Sequence, residues 1–179
     1  LRAADSALIA LSGRSGVSVG TEQVFKYAKQ KNVPIMFFVN KIDDHRANYQ
    51  QTLEQMKQVF GKAVTPFVYP IREGDEFKGF VDIVDMTARR YEGTERVDIP
   101  VPEGMDEIVA PLREMIMEAI AETDDALMNK YFNGEEFTFD EIKKAIRKGV
   151  KDGSIYPVYC GSGAANIGVR SLMDGIGKY

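Results

Sequence analysis

The sequence predicts an α/β fold in which a parallel sheet layered with helices is interrupted by an inserted α+β subdomain. Three observations carry this expectation. Residues 6–11, 34–39 and 155–160 are short apolar runs bounded by turn residues, as buried strands are. The run at 34–39 has a helical stretch on each side, the pattern of a parallel βαβ unit. From Val64 to about Arg96 the chain becomes extended and turn-rich, and it is then helical to about Lys151. The expected division is therefore 1–63, first segment of the parallel unit; 64–153, the insertion; and 154–179, the closing strand, loop and helix.

Each element has a local reason. Residues 6–11 end in the loop Ser12-Gly13-Arg14-Ser15-Gly16. Residues 21–31 read as a helix with Val24, Phe25 and Ala28 on one side. Residues 34–39 are the next strand. In the helix at 48–60, Tyr49, Leu53, Met56 and Phe60 form one apolar stripe, and Gly61 ends it. Residues 64–69 read as a strand, 72–76 as a turn, and 77–84 and 86–91 as antiparallel partners. Pro100, Pro102 and Gly104 mark a linker. Residues 106–131 are helical around Leu112, Met115, Ile116, Ala119 and Ile120, with a break expected near 122–125. Thr138 with Glu141 is a capping box that opens another helix. The strand 155–160, a small-residue loop and the helix 169–178 close the chain.

Composition bounds the function. Hydrophobic residues are 44% of the 179, enough for a proper core, and net charge is −4. That charge argues against the whole segment binding RNA or DNA without sequence preference, since such affinity comes from Lys and Arg on phosphates. Cys160 is the sole cysteine, so no internal disulfide forms; this fits a reducing, cytoplasmic setting. No apolar run approaches membrane-spanning length. The chain opens Leu1-Arg-Ala-Ala-Asp-Ser6, without Met, and a strand follows at once. A domain seldom opens inside its own core, so an excised piece of a longer protein is expected.

Asn40, Lys41, Ile42 and Asp43 follow the second strand as N-K-x-D. This pattern can read guanine. Guanine presents its N1–H and 2-amino group side by side, and a carboxylate such as Asp43 accepts both in a fork. Adenine lacks that donor pair. The stem of Lys41 can lie over the base while its ammonium stays in water. The Asn40 amide can cross-link the loop to neighbouring backbone. A bidentate pair of this kind discriminates between bases by about 1–3 kcal/mol. Four such residues can also meet by chance in a surface turn, but the end of a parallel strand is where open α/β sheets bind ligands.

The loop Cys160-Gly161-Ser162-Gly163-Ala164 follows the last strand. Its small residues leave backbone N–H groups open, one of which could donate to the guanine O6, and Ser162 could brace the loop or Asp43. Alone this is also what an ordinary strand-to-helix turn looks like. Paired with residues 40–43 it supplies a second half of a base site. The phosphate half has no counterpart. A phosphate loop needs G-x-x-x-x-G-K-[ST] after a strand, and Gly61-Lys62-Ala63 and Gly177-Lys178-Tyr179 lack the hydroxyl and the earlier glycine. Asp174-Gly-Ile-Gly177 has D-x-x-G spacing but falls inside the closing helix, so it is read as chance. The segment is expected to supply base recognition without hydrolysis chemistry, and to bind nucleotide weakly or not at all by itself.

Taken together, these residues resemble the translation elongation factor G family, GTPases that act on the ribosome. Val33-Pro-Ile-Met-Phe-Phe-Val-Asn-Lys-Ile-Asp43 is similar to the family's guanine-motif strand. Leu1-Arg-Ala-Ala-Asp-Ser-Ala-Leu8 is similar to the stretch after its second switch helix. Phe77-Lys-Gly-Phe-Val-Asp-Ile-Val84 and Tyr131-Phe-Asn-Gly-Glu-Glu136 are similar to its insertion, and Cys160-Gly-Ser162 and Ile167-Gly-Val169 to its final guanine loop and helix. The resemblance covers essentially the whole chain in order.

It implies a partial P-loop GTPase-type parallel sheet, the C-terminal half, with the insertion inside it. It implies guanine-specificity roles for Asn40, Lys41 and Asp43, and a closing loop at Ser162, Gly163 and Ala164. It implies GTP or GDP as ligand, with Mg²⁺, the phosphate loop and both switches in the rest of a parent that hydrolyses GTP to drive ribosomal translocation. A release-factor or ribosomal-protection paralogue, or an isolated stalk-docking module without nucleotide affinity, are the alternatives. One departure stands out: the family usually has Ser-Ala where this chain has Ser162-Gly163, which keeps the N–H but loosens the turn.

Glu118, Glu122 and Asp125 fall at i, i+4 and i+7, opposite the apolar stripe. This is either a solvated face or a docking face for a basic partner, and the resemblance implies the ribosomal stalk protein. His45 has no metal-ligand partners at a usable spacing and reads as a surface residue. Cys160 reads as inert core. Lys143, Lys144, Arg147, Lys148 and Lys151 read as a solvated helix face, with RNA contact the lesser option.

Overall fold

A computed structural model describes residues 4–93 and 95–179. Residues 1–3, the start of the stretch compared with the segment after a switch helix, lie outside the described residues, as does Thr94. The fold is mixed α/β, with one parallel and one antiparallel sheet. The parallel sheet contains β1 (Ala7–Ser12), β2 (Ile35–Asn40), β8 (Tyr156–Cys160) and β3 (Val64–Pro66), in the order β1-β2-β8-β3. The antiparallel sheet is a meander of β4 (Val68–Glu73), β5 (Glu76–Asp82), β6 (Thr87–Glu92) and β7 (Glu95–Ile99).

Helices α1 (Val19–Gln30) and α2 (Tyr49–Phe60) cover one face of the parallel sheet. Phe25 of α1, Phe60 of α2 and Phe37 of β2 meet there, with ring centroids 4.5 Å apart for Phe25–Phe60 and 5.0 Å for Phe37–Phe60. Tyr156 of β8 closes the cluster edge-on to Phe25 at 5.5 Å. Such pairs are worth about 0.5–1.5 kcal/mol each beyond the area they bury. The other face takes α6 (Val169–Lys178), whose Leu172 and Gly175 are buried, with Gly175 close against the Tyr159 ring. Cover on both faces explains why β2 is apolar without alternation.

The two sheets share one core. Phe67, between β3 and β4, donates its N–H to the Val158 carbonyl at 3.0 Å and accepts from the Ile83 N–H at 2.8 Å. Ile116 and Ile120 of α3 (Asp106–Ala121) are fully buried in the same core. Helix α4 (Asp125–Phe132) follows, and α5 (Phe139–Asp152) starts at the expected Thr138–Glu141 capping box.

Four expectations are corrected. Residues 64–69 are not one strand: β3 pairs with β8, and β4 begins after Phe67 and pairs with β5. Apolar residues continue through the junction, so hydrophobicity hides it. Strand β7 stands where no strand was expected, because it is a short charged edge strand with no buried residue. Val24 faces solvent, and Thr21 joins Phe25 and Ala28 on the buried side of α1. Leu112, Met115 and Ala119 are only half-buried, Ala121 is buried as Ile116 and Ile120 are, and Val109 packs in a second cluster with Ile71, Val81 and Ala88.

Candidate functional site

Strands β2 and β8 are parallel neighbours with Val39 opposite Cys160, so the loops that leave their C-terminal ends emerge side by side. The first loop alternates in burial. Asn40 is half-buried, Lys41 exposed, Ile42 buried and Asp43 exposed. Ile42, at 1% exposure, is the anchor that holds this turn in the core. Lys41 has a left-handed backbone (φ 61°), which costs a non-glycine residue about 1–2 kcal/mol. The Asn40 Oδ1 offsets this by accepting the Lys41 N–H at 2.8 Å.

The same oxygen accepts the Gly163 N–H at 2.9 Å, from the second loop. Two backbone bonds reinforce the link. The Ile42 N–H donates to the Gly161 carbonyl at 3.1 Å, and the Gly161 N–H to the Val39 carbonyl at 3.0 Å. A third loop joins from β1, where the Gly13 N–H donates to the Asn40 carbonyl at 2.8 Å. Asn40 is thus the joint of the site, and Lys41 and Asp43 stand at its lip.

The second loop is closed on itself. Ser162 and Ile167 exchange two backbone hydrogen bonds, at 2.9 and 3.0 Å. The Ser162 hydroxyl is buried and accepts the Ala165 N–H at 3.1 Å, so it braces its own loop. Gly161 and Gly168 cross at the base of the loop. A Cβ on Gly161 would sit 2.3 Å from the Ile167 carbonyl oxygen, and one on Gly168 2.5 Å from that of Cys160. Only glycine permits that approach. Gly163 and Ala164 lie exposed at the rim.

Electrostatics separate the two adjacent carboxylates. Asp44 accepts from the Arg46 side chain at 3.2 and 3.3 Å and from its N–H at 2.9 Å, with Arg14 at 3.8 Å. The Arg46 side-chain bonds, then its backbone bond, hold the Asp44 carboxyl down at about 2. Asp44 is committed to local cations. Among the described residues no hydrogen bond or ion pair engages the Asp43 side chain. Cys160, buried in β8, has its thiol pushed up by desolvation and is inert.

Three contacts at this site had no signal in the sequence. Arg72 of β4 donates to the Ile42 carbonyl at 2.7 Å, and the Tyr91 hydroxyl of β6 accepts the Gly168 N–H at 3.3 Å. Asn48, which caps α2, donates its N–H to the Gly13 carbonyl at 3.0 Å. All are long-range or in irregular backbone, where no local pattern announces them.

The remaining candidates lie elsewhere. Glu118 is in the last turn of α3, Glu122 is its C-cap and pairs with Lys62 at 3.0 Å, and Asp125 opens α4. They do not share one continuous helix. On α5, Arg147 donates to the Lys178 carbonyl at 2.8 Å and Lys148 to that of Thr123, so part of the basic face is engaged within the fold. A groove of about 480 Å³ lined by Leu8, Met36, Arg147, Ile176 and Tyr179 opens near the N-terminal ends of β1 and β2, away from the two loops. Among the described residues no three His, Cys, Asp or Glu side chains are grouped to hold a metal ion, and no helix is long and apolar enough to cross a membrane.

A family model described as the elongation factor Tu GTP binding domain matches residues 1–179. A crystal structure of a protein from Thermus thermophilus superposes with a TM-score of 0.91 at 38% sequence identity. That match covers 98% of this chain and 26% of the Thermus chain, so this sequence spans about a quarter of the length of that protein.

Proposed function

The chain belongs to the elongation factor Tu GTP-binding domain family, and from that premise we propose that it is the guanine-recognising part of an elongation-factor-G-like GTPase that promotes ribosomal translocation. The observation that carries this reading is the Asn40 Oδ1 bond to the Gly163 N–H, which ties the N-K-x-D loop to the small-residue loop. Asp43 then accepts the guanine N1–H and 2-amino group, and Lys41 lies along the base. Of the N–H groups of Ser162, Gly163 and Ala164, the first is bonded to the Ile167 carbonyl and the second to Asn40 Oδ1, which leaves that of Ala164 to approach the O6. Asp43 is the carboxylate suited to the task, because Asp44 beside it is spent on Arg46 and Arg14.

Phosphate binding and turnover belong in this proposal to the longer protein. Residues 64–153 would serve as its inserted subdomain, by the division at 1–63 and 154–179, with β3 pairing into the parallel sheet at the join. Glu118 and Asp125, exposed near the turn between α3 and α4, would face a basic partner, the ribosomal stalk protein, with Glu122 beside them.

The test is Asp43→Asn in the full-length protein. The substitution exchanges an acceptor for a donor on the base edge, so xanthine nucleotides should gain over guanine nucleotides. The change expected is about 1–3 kcal/mol, roughly ten- to a hundred-fold in relative affinity. Competition binding with GDP and XDP reads it directly, and an unaltered guanine preference removes Asp43 from the site.

A further inference from the structure

Both base loops are held from outside the parallel sheet by the antiparallel one. The Arg72 guanidinium bridges two carbonyls, that of Ile42 at 2.7 Å and that of Asp75 in its own hairpin turn at 2.7 Å. It stands at an irregularity in the β4–β5 ladder. Ile71 pairs with Gly79 but Arg72 pairs with Phe77, leaving Lys78 as the extra residue. Bulges of this kind re-aim a side chain near functional sites. The Ile42 carbonyl belongs to the planar peptide unit that carries the Asp43 nitrogen. Arg72 therefore fixes the plane from which the Asp43 side chain departs.

The second loop has the matching support. The Tyr91 hydroxyl accepts the N–H of Gly168, where that loop ends and α6 begins. The Tyr91 ring rests near Phe80, at 6.1 Å between centroids, within the antiparallel sheet. Two ion pairs tie the same sheet to α6, Arg96–Asp174 at 3.7 Å and Lys178–Asp85 at 3.5 Å.

We propose that Arg72 and Tyr91 are positioning residues for base recognition, through which the inserted sheet sets the aim of Asp43 and the closure of residues 161–168. This rests on the guanine reading above and adds to it a specificity role for the insertion. Neither residue touches the base. Each acts on a main-chain group of one loop, and the Asn40–Gly163 bond joins the two loops into one unit.

The experiment measures GDP and IDP affinities of the full-length protein by competition with a fluorescent nucleotide, alongside thermal unfolding. IDP lacks the 2-amino group, so the GDP-over-IDP preference reports how well Asp43 is aimed, whereas a general loss of structure weakens both nucleotides alike. Arg72→Met and Tyr91→Phe should each lower that preference by about five-fold or more, and Arg72→Lys should recover part of it. Tyr91→Phe removes a single oxygen, which keeps the proposal testable if Arg72→Met fails to fold. A preference that stays unchanged, whether affinities hold or fall together, overturns the proposal. Asp43→Asn is measured in parallel. If it moves preference toward XDP while the Arg72 and Tyr91 variants do nothing, only the positioning role is lost. If it does not, the base reading falls and the positioning role with it.

Discussion

Gly163→Ala should stabilise the chain, although Gly161→Ala and Gly168→Ala in the same loop should damage it. The three positions differ in what a Cβ would meet. At Gly163 it would lie 3.6 and 3.8 Å from the two Asn40 amide atoms, which is ordinary contact. Gly163 is also absent from the glycines with positive φ, so alanine fits its backbone. The N–H bonded to Asn40 at 2.9 Å is retained. A compatible Gly→Ala change stabilises by about 0.4–1 kcal/mol, chiefly by restricting the unfolded chain. For a domain of this size that is a rise of about 1–4 °C in Tm.

Gly161 and Gly168 have no such room. The blocking atoms are main-chain carbonyl oxygens at 2.3 and 2.5 Å, and Gly168 also holds a φ of +83°. Relief needs movement of β8 or of the loop that leaves it, at a cost of about 1–3 kcal/mol. Calorimetric unfolding of the three variants against the parent chain gives the comparison. A neutral Gly161→Ala, or a Gly163→Ala that loses stability, would show that the loop does not cross itself as described, and the proposed base site would lose its geometric basis.

Two further outcomes are expected. Lys130 at 2.7 Å, then the Thr138 N–H at 2.8 Å and its hydroxyl, hold the Glu141 carboxyl at about 2, below its ordinary 4.5. A lowered carboxyl pKa gives stability that is present above the unfolded value and is lost as pH falls through the folded one. Glu141→Gln should therefore be less stable than the parent chain at neutral pH, and the gap should close between about pH 4.5 and about pH 2; urea unfolding that shows a constant gap across this window refutes the assignment. Reversing charge at Glu118 and Glu122 in the full-length protein should reduce stalk-stimulated GTP turnover while leaving unstimulated turnover alone, and equal stimulation of variant and parent would leave these residues as a solvated face.

The elements that the sequence announced are those whose cause is local. Strand β2 and helix α2 carry their apolar pattern within one segment, and α5 carries its own cap in Thr138 and Glu141. Where the cause lies elsewhere in the chain, the sequence is silent or misleading. The break at Phe67 is made by two partners, Val158 and Ile83, that only the tertiary structure brings together. The break expected near 122–125 is present, and what the periodic reading missed is that it takes Asp125 off the helix that carries Glu118. The chain turns at Thr123, whose hydroxyl bonds back to the Ile120 carbonyl at 2.7 Å, and Asp124 recaps the next helix.

The same division runs through the candidate site. In the proposed base site Asn40, Lys41 and Asp43 are legible, because recognition of a flat base edge needs a short turn with fixed residue types. Ile42 was legible only as the variable position, yet its side chain anchors the turn, and its N–H and carbonyl both carry bonds that hold it. A backbone group has no side-chain identity for a sequence pattern to specify, so Arg72 and Tyr91, which act on backbone groups across 30 and 77 residues, leave no mark on the motif they support. Base discrimination that depended on Asp43 alone would survive any change in the insertion; discrimination that depends on the direction of Asp43 would not, and the GDP-to-IDP ratio separates the two.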